Sequence, residues 1–147
     1  MAFLLILNVI FLDQLSKVLI SRFLSLNQSL PVINRVFYLT LIHNRGAAFG
    51  ILKGQLVFLI ITALASIVLI YLSLRQTRGK KLSSYDISLC LILAGGIGNL
   101  IDRLVFGYVI DFLDFRIWPV FNLADSAITV GAILLGLSIL QTSKRKV

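Results

Sequence analysis

Long apolar runs, broken by short polar stretches, dominate this chain. The first runs from about Ala2 to Phe23, interrupted by Asp13 and Lys17. The second, about Gly54 to Leu74, carries no charge and is long enough, at 1.5 Å per residue, to cross a hydrocarbon core of ~30 Å. The third, about Asp86 to Val105, contains Ala94, Gly95, Gly96 and Gly98, small residues that let helix backbones approach closely in lipid. The fourth, about Asn122 to Leu140, includes Gly131 and Gly136. The pattern predicts a mainly α membrane fold, one domain over 1–147, with four transmembrane helices at 2–23, 54–74, 86–105 and 122–140.

The connections carry a second signal. Arg35 to His43 is rich in β-branched and aromatic residues and predicts a strand. Asn44-Arg45-Gly46 then punctuates it as a turn. Over Asp111 to Trp118 the alternation is weaker, with Asp114 and Arg116 expected on one exposed strand face. These segments predict a small sheet lying on the membrane.

Charge supplies an orientation. Arg75, Arg78, Lys80 and Lys81 crowd one short link, and Lys144, Arg145 and Lys146 close the chain on the same side. By the positive-inside rule both clusters, and so both termini, are expected in the cytoplasm, leaving the sheet extracytoplasmic. The first run lacks a basic leader and a small-residue cleavage pattern, and is expected to be retained.

Composition excludes several classes. With 59% hydrophobic residues and a mean hydropathy of +0.99, this is no ordinary soluble domain. The net charge of +8 lies at span flanks without a basic-aromatic groove, which argues against nucleic acid. A single Cys90 allows no intrachain disulfide. His43 is the only histidine and glutamate is absent, so no metal or other cofactor is expected.

All six acids are aspartates, and two of them flank a short connection between spans. Asp111 follows span three and Asp125 opens span four. An ionisable group near lipid costs roughly 2.5–3.5 kcal/mol at a helix centre and less near the interface, so a pair at one depth suggests chemistry. One carboxylate can take a proton from water while the other carboxyl donates one, which is the chemistry of an aspartic peptidase. Apolar Val109, Ile110, Phe112 and Leu113 favour a protonated Asp111. Asn122 and Asp125 have the spacing of an N-cap and third helical residue, so Asp125 can equally be a capping residue.

Other polar residues have two readings each. Asp13 and Lys17, four apart, suit an ion pair within span one, or with Gln14 a support for the site. Asn99 and Arg103 share a helix face, with Asp102 beside them. That set can orient a peptide carbonyl or hold a carboxylate, or it can be a packing patch. Asn44 can offer its amide to an extended peptide or form a tight turn. Asp86 and Asp114 read as ordinary flank or surface acids. Ser16 and Ser126 make poor nucleophiles, with Lys17 expected in an ion pair and Ser126 in a helix.

Taken in order, Asp13-Gln14-x-Ser16-Lys17, Asn44-x-Gly46-Ala47-Ala48-Phe49, Gly95-Gly96-x-Gly98-Asn99-x-x-Asp102-Arg103, Val109-x-Asp111-Phe112 and Phe121-Asn122-x-Ala124-Asp125 resemble lipoprotein signal peptidase, signal peptidase II. The resemblance covers most of the chain. It implies a four-helix aspartic endopeptidase of the bacterial inner membrane, active at the extracytoplasmic face. Its substrate would be a prolipoprotein whose cysteine already carries diacylglycerol, cut just before that cysteine. The catalytic pair maps onto Asp111 and Asp125. Supporting positions map onto Asp13, Lys17, Asn44, Gly46, Asn99, Asp102, Arg103, Asn122 and Ala124. The resemblance also implies contact with membrane lipid and inhibition by globomycin, and a monomer is expected. Two departures stand out: a short interval between Asp111 and Asp125, and a cation, Arg45, beside Asn44. The rival class is a small four-span proton-coupled transporter, but most aspartates lie toward span ends and the two halves show no repeat.

Overall fold

The computed structural model describes residues 1–46, 51–76 and 82–144. Ala47 to Gly50, the link cations Arg78, Lys80 and Lys81, and terminal Arg145 and Lys146 lie outside those residues. The helices are α1 (Ala2–Phe23), α2 (Leu56–Arg75), α3 (Ser84–Phe106) and α4 (Leu123–Lys144). The strands are β1 (Ser29–Ile33), β2 (Phe37–Asn44) and β3 (Val109–Asp114). All four helices are long and apolar enough to cross a membrane.

Helix α1 is polar inside and apolar outside. Its buried residues are Asp13 and Lys17, while Phe3, Phe11 and Phe23 are largely exposed. Lipid as solvent dictates this arrangement, since apolar side chains lose nothing by facing acyl chains and a carboxylate or ammonium must be sheltered. Helix α3 is the centre of the bundle and packs against α1, α2 and α4. It starts at Ser84, before the expected Asp86, because Ser83 and Asp86 form a reciprocal cap. Asp86 N–H donates to Ser83 Oγ at 3.2 Å, and Ser83 N–H to Asp86 Oδ2 at 2.9 Å. Asp86 is therefore a buried capping acid, not the surface flank that its position suggested.

Close approach explains two of the small residues in α3. A Cβ on Gly95 would collide with the carbonyl oxygen of Ala124, and one on Gly98 would lie 2.5 Å from Asp13 Oδ2. These glycines let α4 and the acid of α1 reach the α3 backbone. Gly98→Ala must displace Asp13, and it is expected to cost about 1–3 kcal/mol of stability. Gly136→Ala, where a methyl meets nothing within 4 Å, is the neutral control. Thermal unfolding in detergent checks both.

The sheet has the order β1-β2-β3, all antiparallel. Sequence reading missed β1, an edge strand with Pro31, which has no N–H to give to a ladder. Strand β2 begins at Phe37 because Arg35 takes a left-handed conformation in the preceding turn (φ 64°). Arg116 does the same after β3 (φ 65°), so Asp114 and Arg116 do not share a strand face. Asp114 is buried instead, accepting from Thr40 Oγ1 at 2.7 Å and Arg116 N–H at 2.8 Å, with Arg116 Nε 3.5 Å away.

Leu24, Leu41 and Ile110 form a small core under the sheet, with Ile20, Leu39 and Tyr108 packed on it. Gly107, left-handed at φ 78°, ends α3 and turns the chain almost at once into β3. That turn brings Asp111 back toward the start of α4.

Candidate active site

Asp111, on β3, is 1% exposed, and both of its oxygens are held by amides. Asn44 Nδ2 donates to Oδ2 at 2.9 Å, and Asn122 Nδ2 donates to Oδ1 at 2.7 Å. Neither amide is free to turn. Asn44 Oδ1 accepts the Gly46 N–H at 2.9 Å, and Asn122 Oδ1 accepts the Asp125 N–H at 2.8 Å. Asn44 thus gives one amide N–H to Asp111 and its oxygen to the turn, and a second N–H remains on the same nitrogen. Any proton on Asp111 must use a lone pair that the amides leave over.

Burial pushes the Asp111 carboxyl up to about 7. The charge of Asp125 adds to the rise, while the Asn44 and Asn122 hydrogen bonds and Lys17 oppose it. The folded chain therefore holds this proton more tightly than the unfolded chain. The resulting stability is fully present at low pH and is lost as pH rises from about 4 to about 7. His43 is shifted down by burial and by Arg45, and its ring stacks on Tyr108 at 3.9 Å.

Asp125 is the third residue of α4 and is capped reciprocally with Asn122, whose N–H donates to Asp125 Oδ2 at 3.3 Å. Asn99 Nδ2 holds the other oxygen at 2.7 Å. Of the two readings of Asn99 and Arg103, Asn99 thus holds a carboxylate. Arg103 braces backbone, with Nη2 3.2 Å from Gly46 O.

A second layer supports the first. Lys17 Nζ lies 2.8 Å from Asp13 Oδ2, 3.0 Å from Asp102 Oδ2 and 3.2 Å from Asn99 Oδ1. Two buried anions face one cation, and other donors complete the balance. Asp13 Oδ1 accepts the Ala124 N–H at 2.9 Å, and Asp102 Oδ2 accepts the Ile110 N–H at 3.0 Å. Gln14 Nε2 reaches both acids, at 3.1 Å and 3.0 Å. Ala124, fully buried, has to be small here because its backbone meets Gly95 and Asp13. Ser16 and Ser126 hydroxyls both donate to backbone carbonyls.

Asp111 and Asp125 open onto one cavity of about 1000 Å³. Sequence reading missed much of its wall: Phe115, Ile117, Trp118 and Val120, from the connection between the two aspartates. An aromatic and β-branched stretch too short to span a membrane was the available signal. The cavity joins an apolar wall to a carboxyl pair, which suits an apolar or extended substrate cut by acid–base chemistry.

A family model described as Signal peptidase (SPase) II matches residues 5–141. The chain belongs to the signal peptidase II family. The lipoprotein signal peptidase of Halothermothrix orenii is 49% identical over 146 residues, 98% of each chain. That of Moorella thermoacetica is 52% identical over 135 residues, covering 90% of this chain and 87% of the relative. A bacterial membrane enzyme solved by the in meso method at 2.3 Å resolution shares the fold, with a TM-score of 0.91 and 31% identity over 99% of this chain and 91% of that one. As a signal peptidase II the chain is an aspartic peptidase embedded in the membrane. The transporter reading has no support. The acid it relied on, Asp13, is committed to Lys17 and the start of α4.

Proposed function

We propose that this protein removes signal peptides from diacylglyceryl-modified prolipoproteins, cleaving just before the lipidated cysteine, with Asp111 and Asp125 as its catalytic pair. The observation that carries the reading is Asn122, whose amide nitrogen donates to the Asp111 carboxyl and whose backbone N–H donates to the Asp125 carboxyl, at the wall of one cavity. Asp111 holds the proton at rest. Asp125 takes a proton from a water that attacks the scissile carbonyl while Asp111 gives its proton to the carbonyl oxygen; as the C–N bond breaks, Asp125 passes the proton it took to the leaving amine and the hydroxyl of the intermediate returns one to Asp111. Asp13, Lys17, Asn99, Asp102 and Asn122 keep this pair oriented, Asn44 with Gly46 and Arg103 holds the turn above it, and Ala124 leaves room for the contact. No metal or other cofactor takes part.

The whole chain acts as one domain and as a monomer in the bacterial inner membrane. Both termini lie in the cytoplasm and the sheet lies on the extracytoplasmic face, where a translocated precursor's cleavage site emerges. The precursor's acyl chains rest in lipid beside the cavity, and globomycin occupies the same space.

Purified protein given a lipidated precursor is expected to cut it, and to leave the unmodified precursor intact. The rate is expected to fall as pH rises through about 7, where Asp111 loses its proton. Equal cleavage of both precursors would remove the lipid from the reading. A rate independent of pH between 5 and 9, roughly the window in which a carboxyl so raised must titrate, would remove the proton assignment.

A further inference from the structure

The aspartates are withdrawn from the surface. Five are at most 5% exposed, and Asp125 is half-buried at the cavity wall. What remains at the sheet end of the bundle is charge of one sign. The exposed charged side chains there, among the described residues, are Arg22, Arg35, Arg45, Lys53 and Arg116. Arg116 is offset by Asp114. The other four make no ion pair among the described residues.

Exposed apolar side chains are interleaved with these cations. Leu30, Val32, Ile33 and Val36 lie on the hairpin that carries Arg35, each at least 50% exposed. Ile117 and Trp118 follow Arg116 at 93% and 58% exposure. In water this mixture is a liability. At a bilayer interface it has a partner on each count, since aliphatic and indole groups sit at the acyl boundary and cations meet phosphates. The spacing of the cations excludes one small anion. Arg35 precedes β2 and Arg45 follows it, so they stand about 25 Å apart at ~3.3 Å per residue. Sheet and helices belong to one chain whose helices already lie in the bilayer, so a lipid surface is the anion within reach.

We infer that the sheet end of this protein docks on anionic phospholipid headgroups, with Arg22, Arg35, Arg45 and Lys53 on lipid phosphates and Ile117 and Trp118 at the acyl boundary. Each cation brought to such a surface favours the docked position roughly fivefold at low salt. Because the Ile117–Trp118 segment also lines the cavity, docking seats the cavity mouth against lipid. The inference does not depend on the cleavage reaction or on the identity of the substrate.

Trp118 is the only tryptophan, so intrinsic fluorescence reports this segment alone. The full-length protein is reconstituted in vesicles of phosphatidylcholine, and of phosphatidylcholine mixed with phosphatidylglycerol. In the mixture at low salt, Trp118 emission is expected to shift to the blue, with acrylamide quenching reduced about twofold. High salt is expected to reverse the change by screening. Arg22→Gln with Arg35→Gln, both away from the cavity, is expected to remove most of the lipid-dependent difference. Arg75→Gln, at the opposite end of the bundle, is expected to keep it, and the charge-preserving Arg22→Lys with Arg35→Lys is expected to keep it too. Equal emission and quenching in the two lipids overturns the inference, as does loss of the difference in the lysine variant. If inorganic phosphate added to phosphatidylcholine vesicles reproduces the shift, the anion is a soluble one and the membrane proposal is wrong.

Discussion

Asp111→Asn and Asp125→Asn are each expected to lower cleavage of a lipidated precursor by at least about 10³-fold, because general acid and base roles of this kind contribute about 10²–10⁴ each. Membrane insertion and fold should survive both changes. Asparagine keeps the size of the side chain. At position 125 it can still accept the Asn122 N–H, and at position 111 its oxygen can still accept one of the two amides now bound there. The donor left over, an amide of Asn44 or Asn122 at position 111 and that of Asn99 at position 125, then faces another NH2, so a modest loss of thermal stability belongs with both variants. A mobility-shift assay of the precursor reads the activity, and unfolding in detergent reads the fold. Near-normal processing by either variant would show that its carboxyl does not take part in the chemistry. Equal loss of fold and activity would make the site structural.

Lys17→Met is expected to produce the largest loss of stability in the chain. Among the described residues the ammonium is the one cation in ion-pair contact with Asp13 and Asp102, and all three side chains are no more than 2% exposed. Removing one partner of a buried pair costs about 3–5 kcal/mol, because the charges left behind stay buried and uncompensated. The methionine fills the space, so the loss measures charge and not volume. A combined Lys17→Met, Asp13→Asn, Asp102→Asn variant removes the charge imbalance and is expected to recover part of the loss. It does not recover activity, since Asn99 loses a donor to its oxygen and Asp125 depends on Asn99. An unchanged unfolding temperature for Lys17→Met would mean that the acids are held by their N–H donors alone.

These predictions rest on contacts of two kinds, and the sequence made only one of them legible. Pairs three or four residues apart on a helix follow from its geometry. The Asp13–Lys17 ion pair and the Asn122–Asp125 cap are where spacing puts them. The four apolar helices and the β2 segment were legible for the same reason, because periodicity and composition are local. The contacts that assemble the site are not local. Asn44 reaches Asp111 across 67 positions, and Asp13 reaches the Ala124 N–H across 111. No local pattern specifies those meetings, and the ordered motifs of the family supplied what spacing could not. Asp86 and Asp114 were misread because their partners, a serine three residues back and a threonine on the neighbouring strand, give no hydrophobic signal. The edge strand β1 was missed because its residues are exposed on both faces and its Pro31 counts against a ladder.

The hydrogen bond from the Ala124 N–H to Asp13 joins the first helix to the last. A ribosome makes this chain from one end to the other, so α1 enters the bilayer long before α4 exists. Until α4 arrives, Asp13 and Lys17 wait with Asp13 Oδ1 lacking its N–H donor, and Asp111 lacks the amide that α4's cap brings to it. Residues of α1 and α4 close the constellation, and α4 is its keystone. If Asp111 and Asp125 are the catalytic pair proposed above, hydrolysis becomes available only once α4 has joined α1.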